Sequence, residues 1–163
     1  MRTVNVRLAL TILALSCASG SALSQVPPDA DAQYLSAAQL RALVPAGGAV
    51  AAKIPTGPGA AVAIVRHDGV GVVELHTKAN VEIVAYEGQA TVVVGGRVDG
   101  DHEASPGEWR GGTIVGGRSY DMAPGDVLWL PAAEPHQVTV PPGGSFVYLA
   151  FKYAAEEPIA AKQ

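Results

Sequence analysis

Cysteine is all but missing from this chain: Cys17 is the single one. It lies in the leading apolar stretch, so removal of that stretch leaves none. A disulfide framework and a thiol nucleophile are both excluded for the processed protein. Charge is sparse as well. Only 16% of residues are charged, the formal net charge is −4, and the lysines and arginines are scattered rather than striped. A nucleic-acid partner is therefore not expected. No G-x-S-x-G elbow occurs, and no glycine-rich loop precedes a helix; the glycine pairs punctuate strands instead. Serine hydrolases of that type and nucleotide enzymes are set aside. No apolar run reaches the roughly 20 residues that a membrane span needs, so stable membrane insertion is not expected. Internal repeats are absent too.

What is present begins with an export pattern over residues 1–24. Arg2 and Arg7 give the positive end, residues 8–15 the apolar middle, and Ala22-Leu23-Ser24 a small-residue cleavage site before Gln25. The expected location is periplasmic or secreted. Lipoprotein anchoring through Cys17 is the less favoured alternative, since Ala14 stands where such a signal wants leucine. Residues 25–58 read as a flexible lead followed by one helix. Ser36 and Gln39 make a capping box, Leu35 precedes the cap, and Pro45 with Gly47-Gly48 ends the helix. The helix packs on the barrel, sits across a dimer partner, or rides free on the surface.

From residue 59 to 153 the apolar period is two. Strands are expected at 61–66 and 70–76 as a hairpin around His67-Asp68-Gly69, which makes His67 an exposed turn residue. A second hairpin is expected from 81–86 and 91–94 around Glu87-Gly88-Gln89. Residues 99–112 form a long connection whose Trp109 and Arg110 cover a pocket mouth or close the barrel end. Its His102, among Asp99, Asp101 and Glu103, reads as a solvated acidic tip. Strand 145–152 is apolar on both faces and should be buried on both. Residues 154–163 form a charged tail.

Chemistry is concentrated around two segments. Pro124-Gly125-Asp126 is a tight turn and Val127–Leu130 a short apolar strand. Residues 131–135 break that strand, and His136 then opens another, sharing its face with Val138 and Val140. A histidine at the head of an apolar face points into a barrel. Upstream, Glu74-Leu75-His76 is followed by Val81, Glu82 and Gly88. The order P-G-D, P, H resembles the second motif of the cupins, and residues 74–88 resemble the first, with His76 at its second histidine position. Glu74 occupies the first histidine position and Val81 the glutamate position.

The resemblance implies an all-β fold, a cupin-type double-stranded β-helix or jelly-roll barrel with a short N-terminal helix, as a single domain able to form a homodimer. It also implies a site for one divalent metal, iron, manganese, zinc or nickel, held by His76, His136 and Glu74. A carboxylate can replace an imidazole as ligand, and two histidines with one carboxylate make a facial triad. Glu82 is the alternative carboxylate, brought inward only if a bulge reverses the alternation that pairs it with Val84 and Tyr86. Three function classes follow. One is a metal-dependent oxygenase, isomerase or lyase acting on a small anionic or phenolic substrate. The second is a metal-free binding or sensing module in which the histidines orient the ligand. The third is a filled barrel without activity.

Overall fold

The computed structural model describes residues 32–57 and 59–155; the export segment, Cys17 and most of the charged tail lie outside them. Thirteen strands and one helix are present in that span. Helix α1 (Ala37–Ala42) is capped as its sequence dictates. The Gln39 amide donates to the Ser36 hydroxyl at 3.3 Å, and the Ser36 amide donates to the Gln39 side chain at 2.9 Å. No residue of α1 is buried, so the helix rides on the surface of the described chain. It is far too short to cross a membrane, and no other helix is described.

The strands are β1 (Val50–Ile54), β2 (Ala60–His67), β3 (Glu74–His76), β4 (Ala79–Gly88), β5 (Ala90–Val94), β6 (Arg97–Asp99), β7 (His102–Ser105), β8 (Glu108–Arg110), β9 (Thr113–Val115), β10 (Arg118–Met122), β11 (Val127–Leu130), β12 (His136–Thr139) and β13 (Phe146–Ala154). They form a five-stranded sheet in the order β1-β2-β13-β4-β11 and a six-stranded sheet in the order β10-β5-β12-β3-β8-β7, with β6-β9 as a separate ribbon. All pairings are antiparallel, and consecutive strands often belong to different sheets. Ile83, Ala85, Val92, Leu130, Val138 and Phe146 are among the buried side chains that pack together as the core. Sheet pairing begins at Val50, upstream of residue 59.

Neither expected hairpin forms. β2 pairs with β1 and β13, whereas β3 pairs with β12 and β8; the turn at 67–69 hands the chain from one sheet to the other. Likewise β4 pairs with β11 and β13, while β5 pairs with β10 and β12. Turn chemistry marks where the chain bends, and it is silent on which neighbour receives the next strand. The predicted strand at 70–76 shortens to β3, leaving Val70 in a lone bridge to Thr139. The long connection at 99–112 is itself strand: Gly100 and Gly107, both at φ +84°, allow the tight turns that flank β7. It extends the six-stranded sheet through β8. In β13 the residues Phe146, Val147 and Tyr148 are buried, the five after them are half-buried, and Ala154 is exposed.

The faces of β4 follow strict alternation. Val81, Ile83 and Ala85 are buried, and Glu82 is on the other face opposite Trp129 and Phe151. A register shift does occur against β13, but between Val147 and Tyr148, whose partners are Glu87 and Ala85. It lies downstream of Glu82 and cannot bring that side chain inward.

Candidate metal centre

Glu74 and His76 share a face of β3 because they are two positions apart. His136 heads β12 and pairs directly with Glu74 across the ladder. These two facts bring the three side chains together, and one donor atom from each lies within 4.8 Å of the others. His76 Nε2 is 3.5 Å and His136 Nε2 is 3.9 Å from Glu74 Oε2. The two imidazole centroids are 5.3 Å apart, and both histidines are buried, at 6% and 5% exposure.

The far side of each ring is occupied. His76 Nδ1 lies 2.8 Å from Glu108 Oε2, and His136 Nδ1 is 3.3 Å from the Glu134 carbonyl. Each of those partners can accept a proton from Nδ1, and in that tautomer Nε2 is left with a lone pair. Both Nε2 atoms face the Glu74 carboxylate. A protonated Nε2 donates to it, and an unprotonated one is matched to the carboxylate by a cation set between them. Metal bonds of about 2.0–2.2 Å bridge donors up to about 4.4 Å apart. Small rotamer adjustments therefore close this set around an ion, and the residues fit a divalent metal.

Further partners tune the group. The Arg110 Nε is 3.5 Å from Glu74 Oε1, and its Nη2 is 3.2 Å from Glu108 Oε2. Lys152 pairs with Glu108 Oε1, and its Nζ is 3.1 Å from His76 Nδ1. Burial alone would raise the Glu74 carboxyl, but the contacts of His76 and the Arg110 guanidinium hold it down at about 2. Burial also pushes the His136 imidazole down to about 4, with the Glu74 charge opposing it. At neutral pH the site therefore holds an ionised carboxylate and a neutral His136, the protonation states of ligands. Glu108 is likewise lowered: burial raises it, and Lys152 and His76 more than compensate.

The triad opens into a cavity of about 390 Å³ between the sheets. Its wall is built from the inward faces of β1, β2, β4 and β13, with Ala63, Val65, Ile83 and Ala150 among them. Tyr148 and His67 add a second polar point on that wall. Their rings stack at 14°, and the Tyr148 hydroxyl is 3.3 Å from His67 Nε2. Burial lowers His67 and raises Tyr148, so this pair is neutral.

Sequence reading brought Glu74, His76 and His136 to one place, and the structure assembles all three. Glu82 and His102 do not join them. His67, expected as an exposed turn residue, lines the cavity instead, because the chain passes between sheets there. Arg110 reaches the cavity, whereas Trp109 points to the other face of β8 beside Leu75. Glu108 and Lys152 were missed. Their only sequence signal is polarity within strands, and their approach to His76 depends on the pairing of β8 with β3 and on the fold of β13.

No family model and no curated protein sequence matches the chain. Solved structures do. BH2720 from Bacillus halodurans is similar at a TM-score of 0.54 and 14% identity, over 82% of this chain and 88% of that one. TT1209 from Thermus thermophilus gives 0.53 and 17%, over 71% and 93%. A conserved protein with a double-stranded β-helix domain from Klebsiella pneumoniae gives 0.53 and 12%, over 78% and 100%. At these identities the likeness is one of fold, and it agrees with the two sheets and the motif order seen here. By its fold this chain is a double-stranded β-helix, with Glu74, His76 and His136 gathered between its sheets.

Proposed function

We propose that Glu74, His76 and His136 hold one divalent metal, from the group iron, manganese, zinc and nickel, and that the adjoining cavity binds a small molecule beside it. The observation that supports this reading is the orientation of the two imidazoles. Both Nδ1 atoms are tied to acceptors, and both Nε2 atoms face one ionised carboxylate. A bound metal with an open position supplies Lewis acidity toward a carbonyl or ionisable oxygen. The chain's own residues do the rest. Glu108 and the Glu134 carbonyl fix the rings, Arg110 orients the Glu74 carboxylate, and the apolar wall keeps water from the ligand. The reaction class is that of a metal-dependent oxygenase, isomerase or lyase.

A metal-free binding module is the second reading, and one observation favours it. Arg110 already supplies Glu74 with a cation at 3.5 Å. A filled scaffold barrel is disfavoured by the cavity. Mass-spectrometric metal analysis of untagged protein separates the readings. About one equivalent in the wild type, absent from a folded His136→Ala variant, supports the metal site. Protein that stays empty after incubation with these ions discards it.

Export is proposed from residues 1–24 alone, with processing before Gln25. Cell fractionation and N-terminal sequencing test this: a cytoplasmic protein that keeps Met1 would overturn it.

A further inference from the structure

The cavity is unbalanced in sign. Lys53, Arg110 and Lys152 line it with Glu74, and Glu108 lies behind His76 within reach of two of those cations. Lys53, Arg110 and Lys152 are three cations against the two carboxylates of Glu74 and Glu108, in a chain whose formal net charge is −4. Both carboxylates are engaged already. Lys53 has no ion partner among the described residues.

Register fixes where the lysines stand. On β2, Ala63 faces Lys53 of β1 and Ala61 faces Lys152 of β13. The two lysines therefore rise on either flank of β2, two strand spacings apart across the sheet and offset by two residues along it, roughly 12 Å in all, with alanine methyls between them. Each side chain is long enough to lean over that gap. Val65 and Ala150 line the same cavity and widen its apolar floor. Low-dielectric walls of this kind focus the field of the cations into the cavity.

We infer that this cavity takes a small organic monoanion: a carboxylate received between Lys53 and Lys152, carried on an apolar or aromatic body that lies over the alanine floor. The inference rests on the small-molecule reading of the site and is independent of whether a metal is bound. Lysine acts here as a point charge for the carboxylate, and the floor selects the body by size.

Benzoate, benzamide and benzylamine share a ring and differ in charge, so they serve as probes. Each is titrated calorimetrically into the mature protein, once chelated and once after zinc loading. Benzoate is expected to bind the chelated protein roughly tenfold tighter than benzamide, as a charge-assisted contact implies, with benzylamine weakest. Lys53→Met should erase that preference and leave zinc uptake unchanged. Ala63→Leu, which fills the floor, should block benzoate without touching the triad. Equal affinity for benzoate and benzamide, a preference that survives Lys53→Met, or no benzoate binding at millimolar concentration overturns the inference. Protein that takes no zinc but still prefers benzoate through Lys53 overturns the metal proposal alone.

Discussion

His76 and Glu108 stand opposite each other on paired strands, and the His76 Nδ1 lies 2.8 Å from the Glu108 carboxylate. This contact decides what His76 can do. With Nδ1 donating, Nε2 is free to ligate, and a carboxylate behind the ring raises its basicity. Arg110 and Lys152 hold Glu108 in turn. The pairing of β3 with β8 is thus as much a part of the site as the triad itself.

Glu108→Gln should therefore weaken zinc binding by roughly 10- to 100-fold, the usual cost of removing such a support. The fold should persist, because Glu108 is outside the packed core. Competition against a chelating dye measures the affinity, and circular dichroism the fold. Undiminished zinc affinity would mean that Glu108 merely balances Lys152 and Arg110.

The chelated protein should also be sensitive to acid in a defined window. Burial holds folded His136 at about 4, against 6.5 for a free imidazole. Between these values the unfolded chain binds a proton that the folded chain does not, so stability rises with pH across the window and levels off above it. The loss on acidification to pH 4 is at most about 3 kcal/mol from this group. Glu74, held at about 2 against 4.5, adds a loss of the same sign below pH 4.5. Urea titrations from about pH 7 to about pH 4 should show the decline, and His136→Gln should flatten its upper part. An unchanged slope in that variant would assign the acid sensitivity elsewhere.

Gly88 is the point at which the chain leaves one sheet for the other. Its φ is +76°, and an added Cβ would lie 1.9 Å from the Ser145 carbonyl oxygen. Gly88→Ala therefore forces both a strained backbone and a backbone collision. It should cost at least about 2 kcal/mol by urea denaturation. By contrast Gly125, at φ +96° with nothing within 4 Å, faces only the backbone strain. Gly125→Ala should be the milder change of the two.

Local chemistry explains which features could be read in advance. The Ser36 cap, the Pro124-Gly125-Asp126 turn, the phase of β4 and the inward face of β12 are set by residues within a few positions of one another. In that turn the Asp126 carboxylate accepts from the Ala123 amide at 2.8 Å. Glu74 could be added to the two histidines for the same reason, since it shares a strand face with His76. The two misread turns mark the limit. His67-Asp68-Gly69 and Glu87-Gly88-Gln89 have hairpin composition, yet each bridges two sheets, and that choice is made by partners far along the chain. Glu108, Lys152 and Tyr148 reach the site only through such pairings, so no neighbouring residue announces them.

Position 81 offers the sharpest test of the site. The cupin motif that residues 74–88 resemble has a glutamate there; this chain has Val81, 6% exposed, facing the cavity that the triad lines. Lys152 is its direct cross-strand neighbour. In Val81→Glu a carboxylate enters an apolar wall, which costs free energy unless a cation meets it. Two cations compete for it. If the triad holds a metal, the new carboxylate adds a donor, and zinc affinity should rise at least roughly tenfold while the chelated protein loses stability. If the triad holds none, the carboxylate has only Lys152, zinc should bind no better than to wild type, and any stability change should be indifferent to added metal. Measuring the melting temperature with and without zinc in both proteins separates these outcomes. Only a ligating carboxylate at this position makes the stability of the variant depend more strongly on the ion than that of the wild type.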